Sequence, residues 1–115
     1  MDTHALLEKW RYLIEPELAD CATPLAWADL LRMPVQVIER DVSVLVTHDV
    51  VLGGAWVRTI LVVCGVMAEV RELIEEMDAV ARASGISKVM YVGRRGWLRA
   101  LPGFREIAVL GQKEL

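Results

Sequence analysis

Hydrophobic positions fall into two periods along the chain, and the change between them divides it. Leu6, Leu7, Trp10, Leu13 and Ile14 recur at helical spacing, which predicts a helix over residues 4–15 with Thr3 as its N-cap. Pro16 is expected to stop or kink it, having no N–H and clashing with the previous turn. Thr23-Pro24 reads as a second helix start, with a short helix from Leu25 to about Leu31. From Pro34 the period becomes two. VQVIER and VSVLVT are β-branched and alternating, and therefore strands. Gly53-Gly54 between VVL and AWV marks a two-residue hairpin turn, where both glycines can take positive φ. The strand that follows, residues 57–64, is apolar except at Arg58 and Thr59, as expected of a central strand covered on both faces.

Helical spacing returns over residues 66–83. Val66, Val70, Leu73, Ile74, Met77, Val80 and Ala81 form an apolar stripe. Glu69, Arg71, Glu72, Glu75, Glu76, Asp78 and Arg82 form the wet face. Glu69 in the first turn and Arg82 in the last suit the helix dipole, and Ser84-Gly85 is the C-cap. ISKVMYVG is then a strand, RRGWLRAL a short helix, PGF a turn and EIAVLGQKEL a last strand. The order implies an α+β (mixed α/β) fold on a single sheet of about five to six strands.

Size limits what that fold can be. A chain of 115 residues hides roughly two thirds of its unfolded surface, enough for one core, so residues 1–115 are expected to form a single domain. A mean hydropathy of +0.37 is high for so small a chain and predicts an exposed apolar patch that buries itself in a protein partner or a homo-oligomer. Trp10, Trp27, Trp56 and Trp97 are the outer residues expected to remain partly uncovered.

Charge sharpens this only locally. The net charge is −3, but residues 1–41 carry −4, residues 42–85 carry −3 and residues 86–115 carry +4. The basic tail makes Arg94, Arg95, Trp97 and Arg99 candidates for holding an anion or an acidic partner. An acidic chain is disfavoured for nucleic acid. The first ten residues, acidic and amphipathic, do not read as a signal peptide. The apolar run TILVVCGVMA is about half the length that spans a bilayer, so no membrane span is expected. Cys21 and Cys64 form no metal spacing and read as reduced thiols. The two histidines give no metal motif. A thiol–imidazole pair of Cys64 with His48 lacks an orienting third group. Glu39, Asp41 and His48 are the groups that could serve as a general base.

The strand at 57–64, the helix after it and Gly103-Phe104 in the tail resemble the GNAT superfamily of N-acetyltransferases. A narrower resemblance covers about residues 10–115: Ala81, Gly85, the strand SKVMYV and Gly93-Arg94-Arg95-Gly96-Trp97, with Leu101 beyond, are similar to short GNAT-like proteins of tailed phages and prophages. The resemblance implies a GNAT-like fold in the host cytoplasm or the virion, in a non-catalytic protein that is virion-associated or acts on a host protein. It also locates the family's pyrophosphate loop on Val62-Val63-Cys64-Gly65-Val66-Met67. There the first basic or amide residue is missing, and Met67 stands where a small residue belongs. The family's tyrosine acid is absent from the segment before Gly103, where Trp97, Leu98 and Leu101 stand, and Tyr91 reads as a packed strand aromatic. The expectation is therefore no cofactor. The alternative is an N-acetyltransferase with an altered loop, holding acetyl-CoA on Cys64, Gly65, Val66, Met67 and Ala68 with help from Arg71.

Overall fold

A computed structural model of the chain describes residues 2–19, 25–91, 100, 101, 103–105 and 113. Helix α1 (Thr3–Ala19) buries Leu7, Trp10, Ile14 and Leu18, one residue per turn along a single stripe. Its first turn is capped from Asp2, whose Oδ1 accepts the Ala5 N–H at 2.8 Å, so Thr3 lies inside the helix rather than capping it. Pro16 neither ends the helix nor displaces its stripe: Ile14 before it and Leu18 after it are both buried. Their burial offsets the hydrogen bond that the proline cannot donate. Helix α2 (Trp27–Arg32) starts two residues later than its pattern suggested, with Ala26 as N-cap, and buries Trp27 and Leu30. The expected start signal at Thr23-Pro24 lies outside the described residues.

Strands β1 (Val35–Glu39), β2 (Val44–Leu52) and β3 (Ala55–Cys64) form an antiparallel meander. Gly53 and Gly54 make its second turn at φ +59° and +79°, the conformation a two-residue hairpin requires. Helix α3 (Met67–Ala83) crosses over to strand β4 (Val89–Tyr91), which pairs parallel to β3 over Arg58, Thr59 and Ile60. Among the described residues the sheet has four strands in the order β1-β2-β3-β4. The last expected strand and the Arg-rich short helix fall outside the described residues.

Both faces of the sheet are covered. Against one lie α1 and α2, with Leu7, Trp10, Ile14, Trp27 and Leu30 packed on Val35, Val44, Val46, Val62 and Cys64. Against the other lies α3, with Val70, Leu73, Ile74 and Met77 on Leu45, Ile60 and Val63. A β-bulge makes this division possible. Val46 stands opposite Val62 but Thr47 opposite Ile60, so Leu61 is an extra residue in β3. Strict alternation would put Ile60 and Val62 on one face; the bulge sends Ile60 toward α3 and leaves Val62 toward α1.

Two expectations about apolar surface need correction. Trp10 and Trp27 are core residues, whereas Trp56 is exposed. Val66 and Val80, assigned to the buried stripe of α3, are also exposed: Val66 is the N-cap, and Val80 sits on the solvent side of the last turn.

Candidate functional site

The place where β3 runs into α3 carries the loop that the resemblance singles out in the sequence, and here the backbone makes an abrupt turn. Gly65 has φ +129°, a conformation closed to ordinary L-residues, and a Cβ on it would collide with the Oγ, Cβ and Cα of Ser43. Ser43, fully buried at the end of the turn before β2, reaches across to do two things. Its Oγ accepts the Val66 N–H at 3.0 Å and donates to Glu69 Oε1 at 2.7 Å. The same carboxylate oxygen accepts the Val42 N–H at 3.1 Å. Val66 cannot cap a helix with its own side chain, so Ser43 accepts its N–H from the neighbouring turn, and Glu69 in the first turn of α3 holds the Ser43 hydroxyl in place.

Arg40 completes the clamp. Its Nη2 donates to Glu76 at 2.9 Å, its Nε to Glu72 at 3.3 Å and its Nη1 to the Glu39 carbonyl at 3.1 Å. The β1–β2 turn, residues 40–43, is thereby tied to one stripe of α3. Glu69 is held below the ordinary carboxylate range, chiefly by the Ser43 hydroxyl, then by the Val42 and Asp41 backbone and the Arg40 charge. It is therefore an anion seated in the first turn of α3. Beside it Val42 and Val66 are 48% and 50% exposed and Met67 is half-buried, with Arg40 and the exposed Asp41 on the same turn.

The loop residues Cys64, Gly65, Val66, Met67 and Ala68 are thus brought together, but around a carboxylate. Cys64 is a buried thiol whose Sγ donates to the Leu13 carbonyl at 3.5 Å. Arg71, expected to assist the loop, instead lines a cavity of about 140 Å³ farther along α3, with Ile74, Glu75, Asp78 and Leu101. Burial raises the Asp78 carboxyl above its ordinary value, the Arg82 charge opposing this and Glu75 adding to it.

The candidate bases are dispersed. Glu39 accepts the Trp10 indole N–H at 2.7 Å and Lys9 Nζ at 2.9 Å; both bonds lower its pKa, the indole more than the lysine, and make it a weaker base. Asp41 is exposed in the β1–β2 turn. His48 stands opposite Thr59 in the β2–β3 register, while Cys64 stands opposite Val44. Four residues of β2 therefore separate the two positions, about 13 Å, which excludes a thiol–imidazole pair. Tyr91 ends β4 half-buried and packs edge-on to Phe104, with ring centroids 6.5 Å apart. Gly103, with φ +82°, forms the turn before that phenylalanine. Arg94, Arg95, Trp97 and Arg99 lie outside the described residues. Among the described residues no group of three or more His, Cys, Asp or Glu side chains could hold a metal, and no helix is long and apolar enough to cross a membrane.

Two features escaped the sequence reading. Arg58, an apparent interruption of a central strand, is buried and forms a bidentate pair with Asp49 at 2.8 and 3.0 Å. The hairpin register carries the signal for it: with Leu52 opposite Ala55 across a two-residue turn, residue 49 must face residue 58. The Ser43–Glu69 link has a fainter signal, an N-cap with no side-chain acceptor above a glutamate at the third helical position.

The fold and this clamp define an α+β protein with a mixed sheet and a helix whose first-turn carboxylate is tied to the β1–β2 turn. Compared with known protein families, curated proteins and solved structures, the chain finds no match.

Proposed function

We propose that the protein is a non-catalytic interaction module of GNAT-like architecture, of the kind tailed phages and prophages use as virion-associated or host-directed proteins. The antiparallel meander followed by a helix crossover to a parallel strand supports the GNAT-like part of this reading. One observation carries the non-catalytic part: the Glu69 carboxylate, anchored by Ser43 and Val42, is already seated in the first turn of α3. A helix N-terminus favours anions, and a fixed carboxylate there repels a pyrophosphate. Exposed Val42 and Val66 beside it suit a protein surface better than a phosphate.

Titration calorimetry with acetyl-CoA tests the reading. No measurable heat of binding is expected for the wild-type chain. Micromolar affinity, abolished by Met67→Trp, would overturn it in favour of an N-acetyltransferase with an altered loop at residues 65–68.

A further inference from the structure

The β2–β3 hairpin extends past β1 and β4, and its far end carries the large exposed apolar side chains of the described strands. Val51, Leu52 and Trp56 are 55%, 48% and 60% exposed. Strand β1 begins at Val35, opposite His48, so residues 49–52 of β2 run beyond it. Among the described residues no strand lies along that stretch.

The direction of its backbone groups follows from the pairing. The Arg40 N–H donates to the Ser43 carbonyl, closing the β1–β2 turn, so alternate pairs from there, Ile38 with Leu45 and Gln36 with Thr47, exchange hydrogen bonds. Odd-numbered residues of β2 thus aim their N–H and C=O groups toward the β1 side. Beyond Val35 these are Asp49 and Val51, an edge that no described strand pairs with. The corresponding overhang of β3, residues 55–57, is shorter and offers only the groups of Trp56.

We propose that this edge pairs with the same edge of a second copy, in an antiparallel two-fold contact centred on Val51. The occupant follows from three constraints. First, the edge is self-complementary only where odd residues meet odd residues, which leaves a centre at Val50 or at Val51. A centre at Val50 would put the second copy's Leu52 beside His48, the place Val35 already holds. The centre at Val51 is free of that clash.

Second, that register aligns what is exposed. Trp56 lies opposite Val51 within the hairpin, so one face of the joined sheet carries an unbroken row: Trp56, Val51, the second copy's Val51 and its Trp56. On the other face Val50 meets the second copy's Leu52. Third, nothing repels. No charged side chain lies between Val50 and Val57, and the Asp49 carboxylate at the base of the hairpin is neutralised by Arg58. The net charge of −3 is carried elsewhere.

Area sets the strength. Three partly exposed side chains per copy supply a few hundred Å², below the roughly 1,200–2,000 Å² of a standard stable interface. The contact is accordingly a reversible dimer, closed by its two-fold axis. It goes beyond the interaction reading above by naming a surface and an occupant, both argued from the hairpin itself.

Sedimentation velocity over a concentration series, together with directed cross-linking, tests it. The wild-type chain is expected to pass from monomer to dimer as concentration rises. Trp56→Lys, at an exposed position, should weaken that association at least tenfold while keeping the far-UV spectrum and unfolding midpoint. In a hydrogen-bonded antiparallel pair the Cα atoms are about 5.5 Å apart, within disulfide reach. Val51→Cys should therefore form a disulfide dimer on mild oxidation, faster than Leu52→Cys, with the parent chain controlling for Cys21 and Cys64. A chain that stays monomeric throughout overturns the proposal, as does a dimer indifferent to Trp56→Lys or equal cross-linking at both positions. A dimer formed through another surface leaves the interaction reading standing; acetyl-CoA binding would defeat that reading without touching this one.

Discussion

Gly65 is the residue on which the join between β3 and α3 depends, because two restrictions meet there. Its φ of +129° disfavours any side chain, and the space a Cβ needs is filled by Ser43. Gly65→Ala is expected to destabilise the fold by about 2–4 kcal/mol, combining backbone strain with overpacking against a buried neighbour. Urea unfolding measures this; a loss below half a kcal/mol would mean that the join is looser than its geometry. Glu69 makes a second prediction, with a definite sign. Its folded-state pKa lies below the ordinary value because the Ser43 hydroxyl and the Val42 backbone bind the ionised form. Such a group contributes stability above its unfolded pKa of about 4.3, and that contribution is lost as pH falls through the folded value. Glu69→Gln should therefore be less stable than wild type at neutral pH, and the gap should close in acid. Unfolding midpoints at pH 7 and in the acid limb would test it; a gap that stays constant would place the interaction elsewhere.

At the scale of elements, the β2–β3 hairpin is registered by its turn and fastened by one ion pair. Arg58 has an 8% exposed side chain and Asp49 a 23% exposed one, so removing either charge strands the other in poor solvent. Asp49→Asn should cost about 2–4 kcal/mol, whereas the double change Asp49→Leu with Arg58→Met should recover most of that loss, since a buried pair seldom beats apolar packing of similar volume. Thermal and urea unfolding of the three proteins decide the matter: a double variant as unstable as the single one would show that the pair, and not merely the stranded charge, sustains the hairpin. The hairpin also marks what was legible in the sequence. Gly53-Gly54 announced the turn, and the register of Asp49 with Arg58 follows from it by counting. The bulge at Leu61 had no such announcement. It is imposed by two helical layers that each need apolar partners from the same strand, a demand visible only once α1 and α3 lie on opposite faces. The same holds for α1, where the pattern put a stop or a kink at Pro16 but burial of Leu18 carried the helix on to Ala19. The candidate loop was legible as a position and not as a chemistry, because what fills it comes from Ser43 and Val42, more than twenty residues upstream.

Over the whole molecule, the sheet is the shared wall of two cores. Leu30 from α2 belongs to the core on one side and Leu73 from α3 to the core on the other, both fully buried. Neither helical layer can retain its contacts if the strands separate, because Val44 and Val62 face one core while Leu45 and Val63, their neighbours in the same strands, face the other. The two cores should therefore unfold together although few side chains touch across them. Leu30→Ala and Leu73→Ala are each expected to cost about 2–5 kcal/mol and to shift one common transition. Tryptophan fluorescence, to which Trp10 and Trp27 contribute from the α1 side, and far-UV circular dichroism, which follows all elements, should move by the same amount in both variants. A Leu73→Ala protein whose circular dichroism transition falls while its fluorescence transition stays at the wild-type midpoint would show two independent halves. In that case the clamp of Ser43, Glu69 and Arg40 would be holding α3 to a layer that does not need it.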